Sequence, residues 1–400
     1  MTHVRVLGLA GILGLLAGLT GCGDSDSDTA LSEDTAAPVV LPGGTNSAPS
    51  GALDVSPRAE GLGESDFGGA SVGSDSAAGI GADPAGSGAL APAPSLPPGP
   101  GTGQIEAGTL TAGTWDDNLN LERFLGYREE LRASGMSGLL DFNPEDHQAA
   151  KPLGTPSAHT KLDLSLVIDT TGSMGDELSY LQTEFLALST TIQEKYPSAE
   201  QRWSLVVYRD VGDDYVARGF DFGTDPEVFR QQLDEQSPGG GGDFPEAPDA
   251  AFERMNQLAW RSDPNTAKLA FWVADAPHHD GRAAALKAAI ETAQSQGVHI
   301  YPVASSGVDE LTELTMRSAA QLTGGRYLFL TDDSGVGGVH KEPSIPCYFV
   351  TQLDAAILRM VDIEMTGVYR EPTAGELVRA GGDPQEGACQ LESGQSVLVF

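Results

Sequence analysis

The chain has 400 residues, and its 57 acidic residues outnumber 23 basic ones to give a formal net charge of −34. This balance excludes nucleic acid as a partner class, because phosphate binding needs clustered lysine and arginine. Three cysteines exclude a disulfide-dense scaffold, and 50 glycines with 25 prolines are too many for one compact globule, so part of the chain is predicted to be linker.

Residues 1–22 have the pattern of an export signal. Arg5 precedes an apolar stretch from Val6 to Leu19 that is too short to span a membrane comfortably. The stretch ends in Leu-Thr-Gly-Cys22, which resembles the bacterial lipobox, whose cysteine is lipidated. The alternative is an ordinary signal peptide or anchor that carries a cysteine by chance. We expect a lipoprotein signal, a lipid on Cys22 and a bacterial envelope protein, with the outer membrane or cell surface favoured over the inner membrane.

Residues 23–106 are predicted to be a disordered acidic linker. They consist mainly of Gly, Ser, Ala, Pro and Asp, with Phe67 as the one aromatic residue and Arg58 as the one base. Such a segment buries too little apolar surface to offset the entropy of ordering. As a coil it would reach about 50 Å, enough to hold a folded domain away from a membrane.

Residues 107–160 are predicted to be a small N-terminal extension packing on the main domain. The spacing of apolar residues indicates a helix over Leu121–Ser134. The acids around Asp116 resemble a calcium loop only superficially, because the central Gly and distal Glu of that loop are missing. We expect a turn instead, with Trp115 packed against the main domain.

The main domain is predicted to span residues 161–365. Apolar runs predict strands at 162–168, 202–208, 216–222 (at an edge), 267–274, 298–304 and 327–330. Helical spacing predicts helices at 178–192, 226–233, 247–260, 282–296, 309–322 and 349–361. This alternation predicts an α/β fold with a doubly wound, mainly parallel sheet flanked by helices on both faces.

Three acidic loops are predicted to converge on a cation. They are Asp169-Thr-Thr-Gly-Ser173, Gly239-Gly-Gly-Gly-Asp243-Phe-Pro-Glu246 and Asp275-Ala-Pro-His-His-Asp280. Ligands bind at the carboxyl ends of the strands in such sheets. Carboxylate and hydroxyl oxygens suit Mg²⁺, Mn²⁺ or Ca²⁺, and an open coordination position could take a partner's carboxylate.

DTTGSM after an apolar strand, GGGGDFPEA before a helix and WVADAPHHD together resemble a von Willebrand factor type A domain over about residues 160–365. The resemblance implies a metal-ion-dependent adhesion site in which Asp169, Thr171 and Ser173 form the first motif and Asp275 the third-loop ligand. Asp243 stands where many members have threonine, and its extra carboxylate should favour metal retention without a partner. The resemblance implies a divalent cation, most simply Mg²⁺, and a protein ligand bound through an acidic residue.

Other interpretations of these loops stay open at this point. Ser173 and Asp243 each fit a capping box, so both could only start helices, and Glu246 is more typical of a cap than of a ligand. His278 and His279 could suggest zinc, but no third soft ligand is placed in the sequence. No nucleophile elbow or P-loop occurs, so an enzyme such as a metal-dependent hydrolase is a weaker alternative, as is a metal-independent scaffolding domain.

Residues 366–400 are predicted to be a C-terminal extension that ends in a strand at 396–400. If Cys22 is lipidated, Cys347 and Cys389 remain, and export would place them in an oxidising compartment. A disulfide between them is therefore predicted, and the alternative is two free buried thiols.

Overall fold

The computed structural model describes residues 105–148 and 159–400. The predicted signal segment 1–22, Cys22 and residues 23–104 of the predicted linker lie outside the described residues, as do residues 149–158. No helix in the described part of the chain is long and apolar enough to cross a membrane.

The described strands are β1 (Thr111–Trp115), β2 (Lys161–Asp169), β3 (Glu200–Tyr208), β4 (Ala217–Gly223), β5 (Thr266–Ala274), β6 (His299–Ala304), β7 (Tyr327–Leu330), β8 (Tyr348–Gln352), β9 (Leu377–Gly381), β10 (Ala388–Gln390) and β11 (Ser396–Leu398). The α-helices are α1 (Leu121–Ala133), α2 (Leu178–Lys195), α3 (Pro226–Asp234), α4 (Pro248–Asn256), α5 (Ala283–Ser295), α6 (Glu310–Thr323) and α7 (Leu353–Thr366).

A nine-stranded sheet forms the centre of the fold, in the order β4-β3-β2-β5-β6-β7-β1-β8-β9. The strands β3, β2, β5, β6 and β7 are parallel, and β4 is an antiparallel edge strand next to β3. The predicted doubly wound, mainly parallel sheet is therefore confirmed, and strand β4 is at the edge as predicted.

Helices cover both faces of this sheet. Side chains alternate between the two faces of each strand, so each strand presents apolar residues to the helices on either side. In β2, Leu166 and Ile168 pack into the apolar cluster that includes residues of α2, α3 and α7. Val167 between them packs into the second cluster, with residues of α4, α5 and α6. Apolar residues on both faces explain why β2 is an almost continuous hydrophobic run.

Strand β1 lies within the sheet, at residues for which the sequence predicted no strand, and the predicted turn follows it over residues 117–120. It pairs antiparallel with both β7 and β8. Its neighbours Asp116 and Asp117 bind the buried Arg326 and Arg317, with Nε–Oδ2 and Nη2–Oδ1 distances of 3.0 and 2.7 Å. Trp115 is fully buried. Residues 111–117 are thus joined to the sheet and its helices by strand pairing and ion pairs as well as by Trp115 packing.

The predicted helix over 349–361 is wrong at its start. Phe349 lies in strand β8, which pairs with β1 and β9, and helix α7 begins only at Leu353. The helical spacing of Phe349 with later residues is real, but the backbone hydrogen bonds available between two neighbouring strands decide the local structure.

The C-terminal residues form a small separate ladder. Strands β10 and β11 pair antiparallel, so the predicted closing strand is present at 396–398. The predicted disulfide between Cys347 and Cys389 is confirmed, with a Cα–Cα distance of 6.4 Å. It links this ladder to the segment just before β8.

Candidate cation site

The first loop begins at the carboxyl end of β2, where Asp169 is fully buried. The Thr171 backbone N–H and hydroxyl both donate to Asp169 Oδ1, at 2.9 and 2.7 Å. The Thr171 and Ser173 hydroxyl oxygens lie 3.1 Å apart. Asp169 Oδ2 is buried and makes no hydrogen bond of ordinary geometry within the described part of the chain, although the nearby Tyr208 hydroxyl partly offsets the rise in the pKa of Asp169. The loop therefore holds two hydroxyls and a carboxylate oxygen close together.

The third loop brings a second buried acid to the same place. Asp275 follows β5, the parallel neighbour of β2, and is 4% exposed. Burial, together with the Asp275 charge, raises the pKa of Asp169 to about 7. Two adjacent carboxylates away from water repel each other unless a proton or a cation neutralises them.

The second loop contributes a different acid from the one that the sequence favoured. Asp243 is exposed, whereas Glu246 is 2% exposed. Burial, then the charges of Asp169, Asp210 and Asp275, raise the pKa of Glu246 to about 9. The structure thus places Glu246, not Asp243, in the buried acidic group.

Close backbone packing brings the second loop against the first. Gly241 has a φ of +71°, and a Cβ there would lie 3.1 Å from Glu246 Oε1 and 3.3 Å from the Thr171 Cβ. The Glu246 backbone N–H donates to the Pro277 carbonyl of the third loop, at 2.8 Å. Glu246 Oε2, like Asp169 Oδ2, is buried without a hydrogen-bond partner among the described residues. All three loops therefore meet at Glu246.

Helix capping does not account for these loops. The N-cap of α2 is Glu177 and that of α4 is Ala247, and neither makes a side-chain capping hydrogen bond. Thr171, which precedes the short 3-10 turn over 172–176, makes none either. Ser173 and Asp243 are therefore not the caps that the sequence allowed. The sequence did draw attention to Glu246, but its position directly after Pro245 was interpreted as the start of a helix.

The adjacent histidines point to different partners. His278 is buried, its Nε2 lies 2.9 Å from the Gly138 carbonyl oxygen, and burial lowers its pKa. His279 Nε2 lies 2.6 Å from Asp210 Oδ1. Across residues 105–148 and 159–400, no three or more histidine, cysteine, aspartate or glutamate side chains are grouped to hold a metal ion by themselves. Any cation here would thus need the Thr171 and Ser173 hydroxyls as well as carboxylates.

The donor set fits a hard divalent cation. Carboxylate and hydroxyl oxygens are the ligands that Mg²⁺, Mn²⁺ and Ca²⁺ prefer, and the set offers no sulfur. Two buried carboxylate oxygens without hydrogen-bond partners, Asp169 Oδ2 and Glu246 Oε2, are what a cation would satisfy. The residues present can therefore hold such an ion.

Comparison with known proteins agrees with this fold. Residues 163–335 match the family model described as von Willebrand factor A domain. Alpha-protein kinase vwkA of Dictyostelium discoideum is 26% identical over 120 residues, which are 30% of this chain and 19% of that protein. This chain thus spans about a fifth of that relative's length.

A solved structure also matches: the crystal structure of conserved hypothetical protein BatB from Bacteroides thetaiotaomicron. Its TM-score is 0.31 and its sequence identity 13%, over 42% of this chain and 89% of that chain. Residues 163–335 of this chain are thus similar in sequence to the von Willebrand factor A family, and they contain the parallel strands of the doubly wound sheet.

Proposed function

We propose that this chain is a lipid-anchored bacterial envelope protein whose von Willebrand factor A domain binds a divalent cation and, through it, another protein. A role of such domains in protein interaction or adhesion agrees with the family match. The observation that carries the metal dependence is the buried, unpartnered Oδ2 of Asp169 beside the second buried acid, Asp275.

The proposed ligands are Asp169, Thr171, Ser173 and Asp275, with Glu246 in the place first assigned to Asp243. Thr171 orients Asp169 by donating both its N–H and its hydroxyl to Oδ1, which leaves Oδ2 for the ion. Mg²⁺ is the favoured ion, with Mn²⁺ or Ca²⁺ as alternatives, and when bound it offers a coordination position to a partner's carboxylate.

Glu246 adds a third carboxylate close to Asp169 and Asp275. Its raised pKa keeps Glu246 protonated at neutral pH without an ion. Once a bound ion displaces that proton, the negative charge of Glu246 would strengthen retention of the ion and weaken capture of an acidic partner. We therefore expect the ion to bind even without a protein ligand, and the role to be binding without catalysis.

The anchoring part of the proposal rests on residues outside the described range. The lipobox-like Cys22 and the acidic segment after it would attach and space the domain. The Cys347–Cys389 disulfide is consistent with export, since disulfides persist in oxidising compartments. Metabolic labelling with a palmitate analogue would test the lipid, and a Cys22→Ser variant should lose the label.

Calorimetric titration of Mg²⁺, Mn²⁺ and Ca²⁺ into the metal-free chain tests the cation site. We expect one saturable site in the wild type and none in Asp169→Ala. Asp263→Asn, at the opposite end of the sheet where Asp263 pairs with Lys161, is the matched control and should bind as the wild type does. Absence of binding in the wild type would contradict the proposal and favour a metal-independent scaffolding surface.

A further inference from the structure

A buried histidine joins the loop after β7 to the start of α2. His340 is 6% exposed, and its Nε2 and Nδ1 lie 2.9 Å from Glu177 Oε1 and 2.8 Å from Asp332 Oδ1. Neutral imidazole carries one N–H and one lone pair. Both contacts are therefore hydrogen bonds only when both ring nitrogens carry a proton.

Glu177 is the point at which several loops meet. It is 1% exposed, and it accepts the backbone N–H of Ser306, just after β6, at 3.1 Å. Gly337 packs so closely against the Glu177 carboxylate that a side chain at position 337 would displace it, and the φ of +82° at Gly337 favours glycine. Val336 beside it is buried in the core cluster of that face. The His340–Glu177 contact thus closes segment 331–347 over the start of α2.

The charged groups around His340 favour its protonated form. Burial alone would lower the pKa of His340, but the hydrogen bonds and charges of Glu177 and Asp332 outweigh it and raise that pKa. On the outer side, Arg379 of β9 acts on Asp332 by its charge and pairs with Asp333. Glu177 comes from the α2 side of the contact and Asp332 from the short turn after β7, so the imidazolium has an acid on each side.

We propose that His340 is a pH-operated latch, closed when the ring is protonated and released when it loses a proton. Deprotonation turns a nitrogen lone pair toward one carboxylate and replaces an attractive contact by a repulsive one. Release would uncover Val336 and Glu177 at the edge of the sheet where the three acidic loops lie. The latch does not depend on the proposed cation.

The sign of the pH dependence follows from the raised pKa. The latch contributes its full free energy below the pKa of an unfolded histidine, about 6.5, and loses it as the pH rises through the higher folded value. The segment is therefore closed in mildly acidic solution and opens in alkaline solution.

Hydrogen exchange of the full chain at about pH 6 and pH 9, corrected for intrinsic rates, tests the latch. We expect exchange in residues 331–347 and at the Ser306 amide to rise at least about tenfold in the wild type, the effect of losing one hydrogen bond to a charged group. His340→Gln should exchange fast at both pH values. Asp332→Asn, which keeps an acceptor but loses the charge, should move the transition to lower pH.

His159→Gln is the matched control, because the His159 ring contacts the Glu364 carbonyl and not this segment. It should keep the wild-type rise. A wild-type segment with no corrected rise, or a rise that persists in His340→Gln, would overturn the proposal. If His340→Gln does not fold, an NMR titration of wild-type His340 decides, and a pKa at or below about 6.5 would equally overturn it.

Discussion

Replacing Asp169 by asparagine tests the buried acidic group at the centre of the candidate site. Burial and the Asp275 charge raise the pKa of Asp169 to about 7, against about 3.9 in an unfolded chain. Between these values the folded protein binds more protons than the unfolded chain does. In metal-free solution its free energy of unfolding therefore falls as the pH rises from about 4 to about 7.

The size of this loss follows from the pKa difference. About three pKa units at 1.36 kcal/mol each correspond to about 4 kcal/mol, and this is an upper limit because Asp169 and Asp275 share the repulsion. Asparagine keeps the shape of the side chain and the acceptor for Thr171 but cannot ionise. We expect Asp169→Asn to exceed the wild type in stability above pH 8 by up to about 4 kcal/mol.

Urea unfolding at about pH 5, 7 and 8.5 in the presence of chelator measures the difference in unfolding free energy between the wild type and Asp169→Asn. The same measurement is then repeated with added Mg²⁺. Magnesium should stabilise the wild type at pH 8.5 and leave Asp169→Asn unchanged. Asp263→Asn is the control. The hydrogen bond with Lys161 lowers the pKa of Asp263, so this substitution should lower the free energy of unfolding at neutral pH instead of raising it. Parallel stability curves for wild type and Asp169→Asn across this pH range would refute the reasoning.

Two further predictions concern the elements that join the ends of the chain to the sheet. Arg317→Met should cost about 3–5 kcal/mol in urea unfolding, because it leaves the fully buried carboxylate of Asp117 without its cation and that of Glu313 with Lys341 alone; a loss below about 1 kcal/mol would contradict this. The double replacement of Cys347 and Cys389 by serine should lower stability by about 2–5 kcal/mol. Reductant should destabilise the wild type similarly and leave the double variant unchanged, and equal sensitivity of both proteins would count against a stabilising disulfide.

Local patterns were enough to predict the parallel core. Each parallel strand is an apolar run that must be buried on both faces, and each helix between them shows one apolar stripe, so the alternating order admits few other folds. The same alternation placed Asp169 and Asp275 directly after strands of the sheet. It therefore also predicted that the acidic loops containing them converge. The pairing of Cys347 with Cys389 was also within reach, because lipidation of Cys22 would leave only one possible bridge.

Long-range contacts decided what the sequence could not. Residues 111–115, for which the sequence predicted no strand, form β1 because β7 and β8 offer hydrogen bonds on both sides, and the pairing of β1 with β8 places Phe349 in a strand instead of a helix. Burial in turn distinguished Glu246 from Asp243, although the two acids lie three residues apart in one loop. The sequence by itself determined which segments are apolar and which loops are acidic, because those are local properties. Only the tertiary structure decided which strands meet and which acid is removed from water, because both depend on groups far away along the chain.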